Sequence, residues 1–532
     1  MKKLIALIII LAFCLSGCNP GASNDTTPPI SGNTGNNNVT DNGNNSGNGD
    51  SGSAEDCPGK HTDNDDNGLC DFCNVSVIVW LDLYGINDLH GKVLDSENQP
   101  GIEELTKYLK EMQRTNDNAV LFSSGDMWQG TAESGLTHGL ILTDWMNELG
   151  FASMTLGNHE FDWADSYIKE NSAAAEFPLL AINIYDRRTN QRADYCTPSV
   201  VIEQDGVQIG IIGAIGDCYS SISGEVSGGI YFKTGRELTA LVKAEAERLR
   251  ANGVDFIIYS LHDGYDNSSS STSPKQVTDS QISSYYDISL SDGYVDIVFE
   301  GHTHKNYILV DSKGVMHLQG GGDNYGLSHA KVSLNSANGN SKVSSADIVR
   351  NSTYASYDPD AFMDYLFAKY SEEITYAQQT LGYNPRYRDD SDVEQLVATL
   401  YYEAGVEMWG EQYDIFLGGG FIRTRSPYNL YQGNVTYSDL YSLLTFDNEL
   451  VLCTISGANL KSKFIYSTNS DYYVYYEGSA SSIKDNQTYY IVTDTYTSTY
   501  RWNNLTEVAR YTPGVYARDL VADFIEEGGW SN

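Results

Sequence analysis

The sequence predicts an α/β sandwich followed by a second, α+β domain. Three observations carry this. Short apolar, β-branched segments alternate with helix-patterned ones from Val75 onward. A helix-patterned stretch at 355–380 separates that run from a Tyr-rich carboxyl-terminal part. Asp and His recur just after the apolar segments, at the strand ends where α/β sheets build ligand sites.

In chain order, Val75 to Leu83 reads as a buried strand. Gly101 to Arg114 reads as a helix, with Ile102, Leu105, Tyr108 and Leu109 at helical spacing. Ala119 to Ser123 is a short strand, and Leu140 to Leu149 a helix closed by Gly150. Ile209 to Ile215, Asp255 to Leu261 and Asp296 to Glu300 repeat the buried-strand signature. Residues 355–380, with Ala361, Tyr365, Leu366, Tyr370 and Ile374, read as one long helix. It links a domain at 75–354 to a second at 381–532.

Composition bounds the function. The chain has 532 residues, enough for two or three domains at about 150 residues each. Its 33 Lys and Arg face 71 Asp and Glu, a net charge of −38. That balance excludes binding to a nucleic-acid polymer, which needs clustered cations, but not a small anionic substrate met by a metal ion. The 41% apolar fraction excludes a wholly disordered chain, and eight Cys are too few for a disulfide scaffold. Cys196, Cys218 and Cys453 are scattered and expected to be buried or oxidised. Oligomeric state is not legible.

Residues 1–18 read as an export signal: Met1-Lys2-Lys3, an apolar run from Leu4, then Leu15-Ser16-Gly17-Cys18. The run is shorter than the ~20 residues a membrane span needs. Its end resembles a bacterial lipobox, which implies lipidation of Cys18 and anchoring to the cell membrane or surface; the alternative is an ordinary cleaved signal. Residues 19–56, almost wholly Asn, Gly, Ser, Thr, Asp and Pro, read as a flexible tether. In 57–74, Cys57, His61, Cys70 and Cys73 have the spacing of a zinc knuckle, Asp63 to Gly68 that of part of a calcium loop, and a disulfide-pinched spacer is the third reading.

Five motifs stand at the ends of the predicted strands: Asn87-Asp88-Leu89-His90-Gly91, Ser124-Gly125-Asp126, Gly157-Asn158-His159-Glu160, Leu261-His262-Asp263-Gly264 and Gly301-His302-Thr303-His304. Five of the nine His fall inside them, which is the concentration a metal site produces. Asp, Asn and His offer oxygen and imidazole donors that suit Zn, Mn or similar divalent ions.

This ordered set resembles the calcineurin-like metallophosphoesterases. The stretches Gly125-Asp-Met-Trp-Gln-Gly130, Met146-Asn-Glu-Leu-Gly150 and Leu156-Gly-Asn-His-Glu-Phe-Asp162 resemble their 5′-nucleotidase family. The resemblance implies a four-layer α/β/β/α metallophosphoesterase sandwich with a 5′-nucleotidase C-terminal domain. It implies two divalent metal ions, one on Asp88, His90 and His304 and one on Asn158, His262 and His302, with Asp126 bridging. It implies His159 as the catalytic group that stabilises the transition state or protonates the leaving oxygen, oriented by Asp162.

In the second domain, Gly418-Gly419-Gly420-Phe421-Ile422-Arg423 resembles the family's glycine-rich strand and implies Arg423 as a substrate contact. Phe446 matches a base-stacking ring, with Asn448 beside it, and Tyr496 the second ring. An upstream phosphate-binding Arg falls at Arg386 or Arg388. Thr499 to Asn504 departs from the family's ribose-contacting stretch, so the preference for ordinary nucleotides stays open. The resulting expectation is a lipid-anchored phosphohydrolase acting on nucleoside 5′-monophosphates or related nucleotides. The alternatives are another small phosphoester (a 2′,3′-cyclic nucleotide, nucleotide sugar or sugar phosphate) and a non-catalytic surface binding lipoprotein.

Overall fold

The computed structural model describes residues 60–95, 100–222, 228–265, 271–278, 294–425, 429–467, 471–502, 504–511 and 514–530. The expected export signal at 1–18 with Cys18, the expected tether at 19–56 and Cys57 lie outside the described residues. The described residues belong to one compact unit.

Two sheets build its first part. One has six strands in the order Ser341–Arg350, Gly326–Asn335, Ile78–Ile86, Ala119–Ser123, Met154–Thr155 and Leu179–Leu180. The other has seven: Ser271–Gln276, Asn306–Val310, Met316–Gly320, Ile297–Glu300, Phe256–His262, Val207–Ile215 and Ser199–Gln204. The central strands are apolar on both faces because both faces are covered. Leu81, Leu83 and Phe122 of the first sheet meet Ile209, Ile258 and Phe299 of the second, and the Phe122 and Phe299 rings pack edge-on at 4.8 Å.

Helices Glu103–Thr115 and Leu140–Glu148 cover the outer face of the first sheet through Leu105, Leu109, Ile141 and Trp145. Helix Gly235–Ala251 covers the second through Val242, Ala246 and Leu249. The order of layers is therefore α/β/β/α, as expected. Ala119–Ser123 is a strand over the expected residues, whereas the first strand runs Ile78–Ile86, three residues later than the apolar pattern suggests. Pairing sets this: Asp82 lies opposite Ala119 and Ile86 opposite Ser123.

The single helix expected over 355–380 is not there. Helices Ala361–Lys369 and Ser371–Ala377 replace it, after a short turn of helix at Asn351–Tyr354. Pro359 disfavours helical backbone at Asp358, and Asp360 caps a new start by accepting the Phe362 N–H. Tyr370, at φ −108°, breaks the run again, and its hydroxyl donates to Asp144 of the first part at 2.5 Å.

The second part is a five-stranded sheet in the order Tyr472–Tyr476, Ile415–Phe421, Thr488–Asp494, Leu450–Ser456 and Thr506–Arg510. Helix Asp390–Trp409 packs on it through Val393, Val397 and Tyr401. It touches the first part beside the strand ends. Glu133 accepts from Gln378 at 2.6 Å and from Ser438 at 3.2 Å, and Gln129 Nε2 donates to the Thr445 carbonyl at 3.3 Å.

Candidate metal centre

Strands Ile78–Ile86, Ala119–Ser123 and Met154–Thr155 run parallel in one sheet, and Phe256–His262 and Ile297–Glu300 run parallel in the other. Their carboxyl ends meet at one edge of the two sheets. Asp88, Asp126, Asn158, His262 and His302 therefore arrive together although they span more than 200 residues of chain. Asp88, His90 and His304 form one group with ligand atoms within 4.8 Å of one another, and Asp88, Asp126 and His262 a second. His302 joins at His262, with the two rings 5.6 Å apart.

The donor chemistry fits cations. His90 Nδ1 donates to the Gln129 carbonyl at 2.9 Å, and His262 Nδ1 to the Ser124 carbonyl at 2.7 Å. A carbonyl only accepts, so each Nδ1 carries a proton and each Nε2 is the atom aimed at the centre. His90 Nε2 faces His304 Nε2 at 2.9 Å. His262 Nε2 stands 3.2 Å from Asn158 Oδ1 and 3.1 Å from Asp126 Oδ2. Asp126 Oδ2 is buried and accepts no well-directed hydrogen bond from the protein. Lone pairs that converge on one buried point, with a carboxylate oxygen among them, are what a divalent ion requires.

Charge is organised accordingly. Burial, with Arg425 and His304, pushes the His90 imidazole well below its ordinary range, so it is neutral and its Nε2 a bare donor. Burial alone would raise Asp126, but His262 and His159 outweigh it and hold the carboxyl well below the usual range. Asp126 in turn overcomes the burial of His262 and raises that imidazole. A metal ion at this point would displace such protons.

The loops are strained to do this. Asp88, His90, Asp126, His302 and His304 all have φ between 50° and 70°, the left-handed region that costs non-glycine residues of order 1–3 kcal/mol each. Gly125, at φ +96°, lets the chain pass His262: a Cβ there would stand 2.6 Å from His262 Nδ1.

His159 donates its backbone N–H to Asp126 Oδ1 at 2.8 Å, and its Nδ1 pairs with Asp162 Oδ2 at 2.7 Å. Burial lowers the imidazole, but Asp162 and Asp126 outweigh it and hold it up at about 9. The Phe446 ring, 43% exposed, lies 6.1 Å from the His159 ring and nearly parallel to it.

The other expected substrate residues are placed differently. Arg423 is exposed and Asn448 half-buried. Arg388 donates to Asn384 at 3.1 Å and lies over the Trp530 ring, while Arg386 pairs with Asp392. Tyr496 packs on Phe421 and Tyr500, with the Arg501 guanidinium 5.3 Å from its ring.

Two residues escaped the sequence reading. Arg425 stands 3.6 Å from Asp323, and its charge acts on His90, His159 and His304. Glu160 accepts the backbone N–H groups of Asp126, Met127 and Gly157 at 2.6–2.9 Å and so ties two ligand loops together. Glu160 stands inside one of the five motifs, and its burial was the missing signal; nothing local distinguishes Arg425 from Arg423.

A calcineurin-like phosphoesterase profile matches residues 82–306, and a 5′-nucleotidase, C-terminal domain profile matches 373–476. The chain thus combines a calcineurin-like phosphoesterase domain with a 5′-nucleotidase C-terminal domain. Among its relatives, Protein UshA of Yersinia enterocolitica is 32% identical over 198 residues, 36% of this chain and 34% of that protein. An apyrase of Tabanus yao is 29% identical over 252 residues, 45% of this chain and 40% of that one. The matched region thus spans well under half the length of these curated relatives. A 5′-nucleotidase precursor from Thermus thermophilus shares the fold over 84% of this chain and 96% of its own, at TM-score 0.62 and 17% identity.

Proposed function

We propose that this chain is a dinuclear-metal phosphohydrolase that releases phosphate from nucleoside 5′-monophosphates or related nucleotides. The carrying observation is the buried, unsatisfied Asp126 Oδ2 on which imidazole Nε2 atoms converge. Asp88, His90 and His304 would hold one divalent ion and Asn158, His262 and His302 another, with Asp126 available to each; Zn, Mn or a similar ion suits these donors. Ions bound there supply charge stabilisation for the phosphoryl oxygens and an ionised water.

The chain's own residues do the rest. Asp162 fixes the His159 ring so that its other nitrogen faces the substrate side, where it hydrogen-bonds a phosphoryl oxygen or gives a proton to the leaving oxygen. Phe446 offers a flat exposed face for a base, worth about 1–3 kcal/mol. Arg425, rather than Arg423, is the cation that the second part presents to the phosphate. Basic residues, an apolar run and Cys18 at the amino terminus support export and lipid anchoring.

The test is kcat/KM across phosphoesters, with EDTA and with added Mn or Zn. Nucleoside monophosphates should lead, with chelator-sensitive turnover. Cyclic nucleotides, nucleotide sugars and sugar phosphates belong in the panel because Arg501 and Phe421 pack on Tyr496. Chelator-insensitive turnover, or none on any phosphoester, would overturn the reading.

A further inference from the structure

The short segment before the first strand holds a second cluster of metal-ligating atoms, separate in sequence and chemistry from the strand-end centre. His61 Nδ1 stands 3.4 Å from Cys73 Sγ, and His61, Cys70 and Cys73 offer ligand atoms all within 4.8 Å of one another. In a tetrahedral zinc site, with Zn–N of about 2.0–2.1 Å and Zn–S of about 2.3 Å, neighbouring ligand atoms sit roughly 3.5–3.8 Å apart. Both Cys are buried, and both are thiols rather than a disulfide.

The backbone aims the sulfurs together. Asn74, in the left-handed region at φ 57°, donates its N–H to the Cys70 carbonyl at 2.9 Å, and the Cys70 N–H bonds the Val75 carbonyl at 2.8 Å. This closes Cys70-Asp71-Phe72-Cys73 into a tight turn with both side chains on one side.

We propose that His61, Cys70 and Cys73 bind one zinc ion, which pins the segment ahead of the catalytic part. Two thiolates and an imidazole are a soft donor set that selects zinc over calcium or magnesium. The neighbouring acidic groups are occupied in closing the loop. Asp63 accepts from Asn67, Gly68 and Asn335, and Asp71 from Asn64. Asp63 and Asp66 also bind Asn335, Asn338 and Asn340 at the turn between strands Gly326–Asn335 and Ser341–Arg350. The ion thus fixes a loop already clamped to the sheet edge, and strand Ile78–Ile86 leaves that loop toward Asp88 and His90. Its role is structural, and it stands whether or not the phosphohydrolase reading does.

Cobalt titration of the metal-stripped full-length chain tests this. A cobalt–thiolate charge-transfer band in the near ultraviolet should saturate at one ion per chain and vanish on adding zinc. Cys218 also lies within 4.8 Å of the His262 and His302 ligand atoms, so Cys218→Ser is the control that separates that cluster from this band. The band should be lost in Cys73→Ser, kept in Cys218→Ser and Asp88→Asn, and strengthened in His61→Cys, which replaces the imidazole with a third thiolate and so tells loss of a ligand from misfolding. Three results would overturn the proposal: no band with excess cobalt, a band that survives Cys73→Ser, or a zinc-free isolated chain lighter by two hydrogens from a Cys70–Cys73 disulfide.

Discussion

His159, half-buried, and His317, buried, are both imidazoles held by carboxylates, and their surroundings assign them opposite tasks. His159 touches Asp126 only through its backbone, so its ring is not needed to seat cations. His159→Ala should keep its metal content and lose about 10²–10⁴-fold in kcat, read by turnover beside elemental analysis; an unchanged rate removes the ring from the chemistry. His317 sits between Glu300, at 2.7 Å, and Asp311, at 3.6 Å. Burial lowers it, but Asp311 and Glu300 outweigh that and raise it to about 9. A His raised above its unfolded value of about 6.5 stabilises the fold fully below pH 6.5 and ceases to do so as pH rises through 9. The Tm gap between wild type and His317→Gln should therefore be widest at pH 6 and shrink toward pH 9.5; a constant gap refutes it.

At the scale of elements, close approach matters as much as patterning. Helix Asp390–Trp409 lies so near its sheet that a Cβ at Gly405 would overlap Val492 Cγ2. Gly405→Ala should cost about 1–3 kcal/mol through overpacking, although Ala is the better helix former in isolation. Urea unfolding measures it, and a stabilised variant would show that the helix can slide. The parallel strands were legible because burial on both faces makes them continuous apolar runs. The 355–380 region misled because helical spacing of Tyr365, Leu366, Tyr370 and Ile374 persists across breaks set by Asp360 and by the Tyr370–Asp144 contact.

For the whole molecule, the centre joins loops from both sheets, so ions bound there should stabilise the entire first part. Each site saturated at 100 times its Kd adds about 2.7 kcal/mol. EDTA should lower Tm by several degrees and Mn or Zn should restore it, with a smaller response in Asp126→Asn. Equal responses in the two proteins would place the stabilising ions elsewhere.

The sequence by itself determined the chemistry: which Asp, Asn and His stand at strand ends, since parallel strands deliver their carboxyl ends to one edge. It also determined the α/β class, through apolar strand-like runs that alternate with helix-patterned ones. Tertiary structure alone decided that Phe446 reaches the His159 ring, that Arg425 rather than Arg423 faces the imidazoles, and that Arg388 is taken up by Asn384 and Trp530. Those contacts cross between two separately patterned parts of the chain or depend on how one of them packs. Their partners are fixed by packing, which no local spacing encodes.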